Sequence, residues 1–117
     1  MTKSAIDLHA LLARLENDRE LLQDLLSLFK EEFPQRYQAL REAAESGDAT
    51  RVVSEAHALK GMFANLAAGE AAAASAELER LGRGKETAKF HQSFANFEKI
   101  ARELSRQVAA YMDKVSG

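Results

Sequence analysis

Apolar residues recur at three- and four-residue steps along nearly the whole chain. Alternating stretches bounded by turn residues are missing, and Val52-Val53 is the only β-branched pair. This period is helical, and it predicts five helices. The first covers about residues 6–15, with Ile6, Leu8, Leu11, Leu12 and Leu15 on its apolar side. Asn17 and Asp18 interrupt the pattern and offer an N-cap for the second helix, residues 19–46. Leu22, Leu25, Phe29, Phe33, Tyr37, Leu40 and Ala44 share one face of it. Pro34 removes a backbone donor and crowds the preceding turn, which predicts a kink there or a division into two shorter helices.

Ser46-Gly47-Asp48 reads as a boundary. Gly47 suits the left-handed C′ position, and Asp48 suits the cap of the next helix. The third helix, residues 49–67, carries Val52, Ala56, Leu59, Phe63 and Leu66 as its buried stripe. Gly69 opens a fourth over 70–81, with Ala71, Ala74, Leu78 and Leu81 inside and Gly82 and Gly84 ending it. The run Ala71–Ala74 is small enough to let a neighbouring helix come close. The fifth helix, 86–115, keeps its period through Phe90, Phe94, Phe97, Ala101, Leu104, Val108, Tyr111 and Val115, and its phenylalanine row reads as core. Four long amphipathic helices joined by short connections imply an all-α protein: an antiparallel four-helix bundle with a short additional N-terminal helix across one end. The 117 residues fit a single domain, 1–117, without internal repeats.

Composition narrows the chemistry. Hydrophobic residues are 46% and charged residues 29%, as in an ordinary globular protein. The formal net charge is −2 with both signs interspersed, which argues against a nucleic-acid partner. There is no cysteine, so disulfides and thiolate metal sites are excluded. No apolar run approaches the ~20 residues that span a bilayer, and the N-terminus lacks the apolar segment of a signal peptide. A cytoplasmic protein with no membrane insertion is the expectation. No glycine-rich phosphate loop and no GxSxG elbow is present, and the histidines His9, His57 and His91 lack metal-ligand spacing. Neither cofactor nor metal is expected, and without a nucleotide site the chain should not phosphorylate itself from ATP.

One stretch stands out against this background. In Ala-His-Ala-Leu-Lys-Gly-Met-Phe-Ala-Asn, residues 56–65, a glycine interrupts a helix right beside a histidine and a lysine. Glycine inside a helix costs about 0.5–1 kcal/mol relative to alanine. On helical geometry His57, Lys60, Gly61 and Ala64 form a partly exposed strip at the edge of the buried stripe. A side chain at Gly61 would crowd the imidazole, so its absence leaves the ring open to a large partner. Imidazole is a nucleophile near neutral pH, and the Lys60 ammonium, one turn away, can offset charge on an approaching anion. That combination suits phosphoryl transfer. His9 and His91 have no lysine or glycine one turn on and read as surface or boundary residues.

The run Ala56-His57-Ala58-Leu59-Lys60-Gly61, followed by Asn65-Leu66 and Ala68, resembles the signature of histidine-containing phosphotransfer (HPt) domains. Leu11 to Leu22 is similar to that family's approach to its long second helix, and Leu78-Glu79 to the Leu-Glu pair of its fourth. The resemblance implies a four-helix bundle whose exposed histidine carries a phosphoryl group to and from receiver-domain aspartates, with a sensor histidine kinase as a further candidate partner. It makes His57 the phosphoacceptor, with Lys60 and Gly61 in support and Asn65 in a mainly structural role. The chain departs from the pattern at Ala67, where glycine is common, and in the alanine run of the fourth helix. A kinase dimerisation domain fits less well, because Ala58 and Gly61 stand where an acidic residue and a proline are usual. A helical adaptor without phosphorylation is the other alternative, and a monomer is the default.

Overall fold

The computed structural model describes residues 6–116, with side chains through residue 114. Among the described residues every regular element is helical: α1 Leu8–Arg14, α2 Arg19–Ser46, α3 Ala49–Asn65, α4 Gly69–Arg83 and α5 Phe90–Ser116, with a 3-10 turn at Thr87–Lys89 leading into α5. Three aspartates start helices by accepting backbone N–H bonds: Asp7 from Ala10 at 3.0 Å, Asp18 from Leu21 at 3.0 Å and Asp48 from Arg51 at 3.1 Å. Gly47 ends α2 at φ 71°, the left-handed conformation that its missing Cβ permits.

Several helix ends fall elsewhere than the residue pattern suggests: α1 spans Leu8–Arg14 instead of 6–15, and α5 begins at Phe90 because the 3-10 turn Thr87–Lys89 takes up its expected first residues. Helix α3 stops at Asn65, because Ala67 takes φ 54° and breaks the helical run. Helix α4 continues to Arg83, so Gly82 lies inside it. Gly82 is not a stop signal but a point of close approach. A Cβ there would lie 2.8 Å from Val53 Cγ2 and 3.1 Å from the Ala49 carbonyl oxygen. Helix α2 runs unbroken through Pro34, so the two-helix alternative does not hold. Pro34 is exposed, where the carbonyl that loses its amide partner can turn to water.

Helix α2 packs against α3 and α5, and α4 packs against the same two, with the most extensive contact between α3 and α4. The expected stripes of α3, α4 and α5 are buried through Val108. Tyr111 is half-buried against the core, and the side chain of Val115 lies outside the described residues. On α2 the buried line is Leu22, Leu26, Phe29, Phe33, Leu40 and Ala43; Leu25, Tyr37 and Ala44 sit half-buried at its flanks. At 100° per residue Leu26 lies nearer the centre of the Leu22–Phe33 line than Leu25 does. Phe29, Phe33 and Tyr37 of α2 meet Phe63 of α3 and Phe94 and Phe97 of α5, with neighbouring ring centroids 4.9–6.2 Å apart. The Tyr37 hydroxyl donates to Glu98.

Helix α1 lies against the C-terminal end of α3. The Asp7 N–H donates to the Ala67 carbonyl at 3.2 Å, and Arg14 Nη1 donates to the Ala64 carbonyl at 2.9 Å. Leu11 is buried and Leu8 and Leu12 are half-buried against the core. These leucines therefore close the core near residues 64–67, two turns from His57. Leu11 in particular offers no surface to a partner.

Candidate functional site

His57 projects from the middle of α3. Its neighbours Ala56 and Leu59 are fully buried and anchor the other side of the helix, while the imidazole is 66% exposed. The expected strip is therefore real: His57, Gly61 and Ala64 are exposed and Lys60 is half-exposed.

What organises the strip lies on the neighbouring helix. Glu79 of α4 is buried, with its side chain only 7% exposed, between the inward-facing Leu78 and the surface. Its carboxylate receives three donors. Lys60 Nζ reaches Oε1 at 2.8 Å, while His57 Nδ1 at 3.1 Å and Arg83 Nη2 at 2.7 Å share Oε2. A carboxylate taken out of water is strongly penalised unless donors surround it, and here they do. The Lys60 hydrogen bond is the largest influence, followed by that of Arg83. With the His57 bond and the lysine charge they overcome the opposing effect of burial and hold the carboxyl down to about 2.

An ionised carboxylate is an acceptor only. The His57–Glu79 contact therefore requires a proton on Nδ1, donating to Oε2. In the neutral ring this places the lone pair on Nε2, which points away from Glu79. The arrangement fixes both tautomer and ring orientation, as carboxylates do for histidines in many reactive sites.

Lys60 and His57 thus meet through Glu79, a partner that spacing on α3 alone does not reveal. Gly61 is not part of this network. A Cβ built there would have no atom within 4 Å, so a methyl group would not crowd the imidazole. Any clearance that Gly61 provides is for a molecule arriving from solvent. Asn65 is exposed at the last residue of α3, two turns from His57. His9 and His91 are exposed and stand apart from the network. Among the described residues no group of histidine and carboxylate side chains could hold a metal ion, and no helix is long and apolar enough to cross a membrane.

Two residues of this site, Glu79 and Arg83, escape a reading of α3. A signal for Glu79 exists: it sits at the edge of the 71–74–78–81 stripe, where a lone carboxylate needs a cation, and Arg83 follows four residues later. Only the packing of α4 on α3 shows that the same carboxylate also serves His57.

A family model described as Hpt domain matches residues 24–115. The fold is similar to the crystal structure of histidine-containing phosphotransfer protein B (HptB) from Pseudomonas aeruginosa PAO1. The TM-score is 0.86 at 22% sequence identity, covering 97% of this chain and 98% of that chain. At that identity the likeness speaks for the fold alone. No curated protein matches the sequence.

Proposed function

The chain belongs to the Hpt domain family, and from that premise we propose that His57 is the residue that bears the phosphoryl group. Members of this family are phosphoryl carriers of two-component phosphorelays, working with receiver domains and kinases, and this chain is such a carrier. The observation that supports His57 is the Nδ1–H bond to the ionised Glu79, which leaves Nε2 as an exposed nucleophile.

The transfer follows from this geometry. The Nε2 lone pair attacks the phosphorus of an aspartyl phosphate on a receiver, and an N–P bond forms. The P–O bond to the aspartyl group breaks, and its carboxylate leaves with the electron pair. No proton moves, because Nδ1 already holds one. The ring acquires positive charge, and Glu79 stands against it at Nδ1. Onward transfer to a second aspartate is the reverse step: the N–P bond breaks and the ring leaves neutral, still protonated at Nδ1. Lys60, one turn away and held by Glu79, supplies positive charge beside the phosphoryl oxygens. Gly61 keeps the approach to Nε2 clear for a domain-sized partner.

The pairwise packing supports an antiparallel four-helix bundle made of α2, α3, α4 and α5, with α1 across one end, and a single domain over 1–117. The exposed histidine and the lack of a phosphate loop in the sequence favour a carrier without kinase activity of its own. A monomer in the cytoplasm completes the reading.

Incubation with a phosphorylated receiver domain, followed by mass spectrometry, tests it. The expected product is one acid-labile, alkali-stable phosphate on His57, and none on a folded His57→Gln variant. Label retained by that variant would overturn the assignment, and no label on either protein would favour the helical adaptor.

A further inference from the structure

We infer that the seam between α2 and α5, across the molecule from His57, is a docking groove for an acidic amphipathic helix of a partner protein. Helices α2 and α4 each pack on α3 and α5, so the α2–α5 seam faces away from the α3–α4 seam that carries the imidazole. The seam is incompletely filled. Two adjoining hollows of about 480 and 210 Å³ run along it and share Phe33, Pro34 and Ser105. Ala101, Ser105 and Ala109 on α5 are too short to close the space, and Pro34 stands at its α2 edge. Phe33, at 9% among the most exposed side chains of the core, forms part of the floor.

Charge selects the occupant. Three cations edge the groove, Lys30 and Arg41 on α2 and Arg102 on α5, and no carboxylate lines either hollow. The chain as a whole carries a net charge of −2, so this basic stretch runs against its average. Lys30 is exposed. The ion pairs of Arg41 and Arg102 are with carboxylates of their own helices, Glu45 at 3.0 Å and Glu98 at 3.6 Å. Exposed pairs of this kind contribute little, so both guanidiniums can turn to a carboxylate arriving over the groove. Beyond Arg41 the seam becomes acidic, with Glu45 and Glu98. The basic stretch on α2 therefore runs from Lys30 to Arg41, about 16 Å or three helical turns.

An amphipathic helix fits these limits. Apolar side chains at i, i+4 and i+7 lie over Phe33, Val108 and the short residues of α5, and carboxylates on its two flanks meet Lys30 and Arg41 on one side and Arg102 on the other. A small anion would meet the charges and leave the apolar floor bare. A second copy of this chain does not fit. Its large exposed side chains, Leu21 and Leu28, lie on the opposite side of α2 from Lys30, Pro34 and Arg41 at 100° per residue. Patch and groove therefore do not form one self-complementary surface.

The test uses the full chain and two synthetic helical peptides of about 15 residues. Both carry leucines at i, i+4 and i+7; one is flanked by glutamates and the other by lysines at the same positions. Amide chemical shifts along 29–41 and 101–109 should move with the glutamate peptide. That peptide should bind about tenfold more tightly than the lysine peptide at low salt, and the difference should shrink as salt rises. Lys30→Glu combined with Arg102→Glu should weaken the glutamate peptide about tenfold and strengthen the lysine peptide by a similar factor. Ser105→Leu, which fills the floor, should weaken both, and His57→Gln should bind as the wild type does. Thermal melts of each variant confirm folding. No binding, equal affinity for the two peptides, shifts centred on His57 or on Leu21 and Leu28, or a charge-reversed variant that holds the glutamate peptide as well as wild type would overturn the inference. Self-association that covers 29–41 without any peptide would assign the groove to a second copy and overturn it as well.

Discussion

Glu79→Gln preserves the shape of the side chain and removes its charge, so it isolates what the buried carboxylate contributes. The folded protein holds this group at about 2 against an ordinary value of 4.5. Each unit corresponds to 1.36 kcal/mol, which sets a ceiling of about 3 kcal/mol of stability at neutral pH. Lys60 and Arg83 are 38% and 64% exposed, so water screens part of that attraction, and about 1–2 kcal/mol is the realistic expectation. The sign is fixed by the direction of the shift. A depressed carboxyl stabilises the fold fully above its unfolded value near 4.5, and the contribution is lost as pH falls toward 2. By pH 3 less than half should remain. Urea denaturation of wild type and Glu79→Gln at pH 7, 5, 4 and 3 reads the gap directly. Glu77, Glu98 and Glu103 are also held low by their own partners, but they occur in both proteins and cancel in the difference. The gap should be widest at pH 7 and close by more than half at pH 3. A gap that stays constant across this range would mean that glutamine disturbs packing and that the ionised network contributes nothing. The same variant should transfer phosphate about tenfold more slowly, the scale of a lost orienting partner, because an amide oxygen offers Nδ1–H only a neutral acceptor and sets no negative charge against the cationic ring.

Four further expectations concern residues around the site. Gly82→Ala should lose about 1–2 kcal/mol despite better helix propensity, since the new Cβ would lie 2.8 Å from the stiff Val53 side chain and 3.1 Å from a backbone carbonyl; a lower urea midpoint at unchanged slope checks it. Ala67→Gly should gain up to about 1 kcal/mol by relieving a left-handed alanine at φ 54°, seen as a rise of a few degrees in Tm. Gly61→Ala should stabilise by about 0.5–1 kcal/mol, because its Cβ meets nothing within 4 Å. Gly61→Gln should slow transfer from a receiver domain while leaving labelling by a small donor such as phosphoramidate unchanged, and equal slowing with both donors would refute a steric role.

The helices were legible because each buries one stripe, and a stripe is a local pattern. The cores of α3 and α4, the phenylalanine row of α5, and the caps at Asp18, Gly47 and Asp48 follow from spacing and residue type alone. The ends of α3 and α4 were misplaced because the residue that signals a helix end does not by itself say where one is. A glycine that ends a helix and a glycine that admits a neighbouring helix look identical in sequence, and only the 2.8 Å distance to Val53 identifies Gly82 as the second kind. Ala67 is the converse: a left-handed turn formed without the residue that usually signals it. There the Asp7 N–H bond to the Ala67 carbonyl, a tertiary contact, helps hold what local propensity resists.

The site was half legible for the same reason. His57, Lys60 and Gly61 lie on one helix, so their proximity is written in their spacing. Glu79 lies 22 residues away from His57 along the chain, and its apparent neighbours, Glu77 and Arg80, make it look like one more member of a solvated charge pattern. Burial separates them. Glu77 and Arg80 pair in water, whereas Glu79 is nearly closed off and must be neutralised by whatever α3 presents. What α3 presents is Lys60 and the Nδ1 edge of His57. The requirement that a buried carboxylate be satisfied therefore sets the tautomer of the exposed histidine, and a stability constraint on α4 becomes a reactivity constraint on α3. Removing Lys60 or Arg83 should on this account disturb the ring as well as the charge around it, because each holds the carboxylate that orients Nε2.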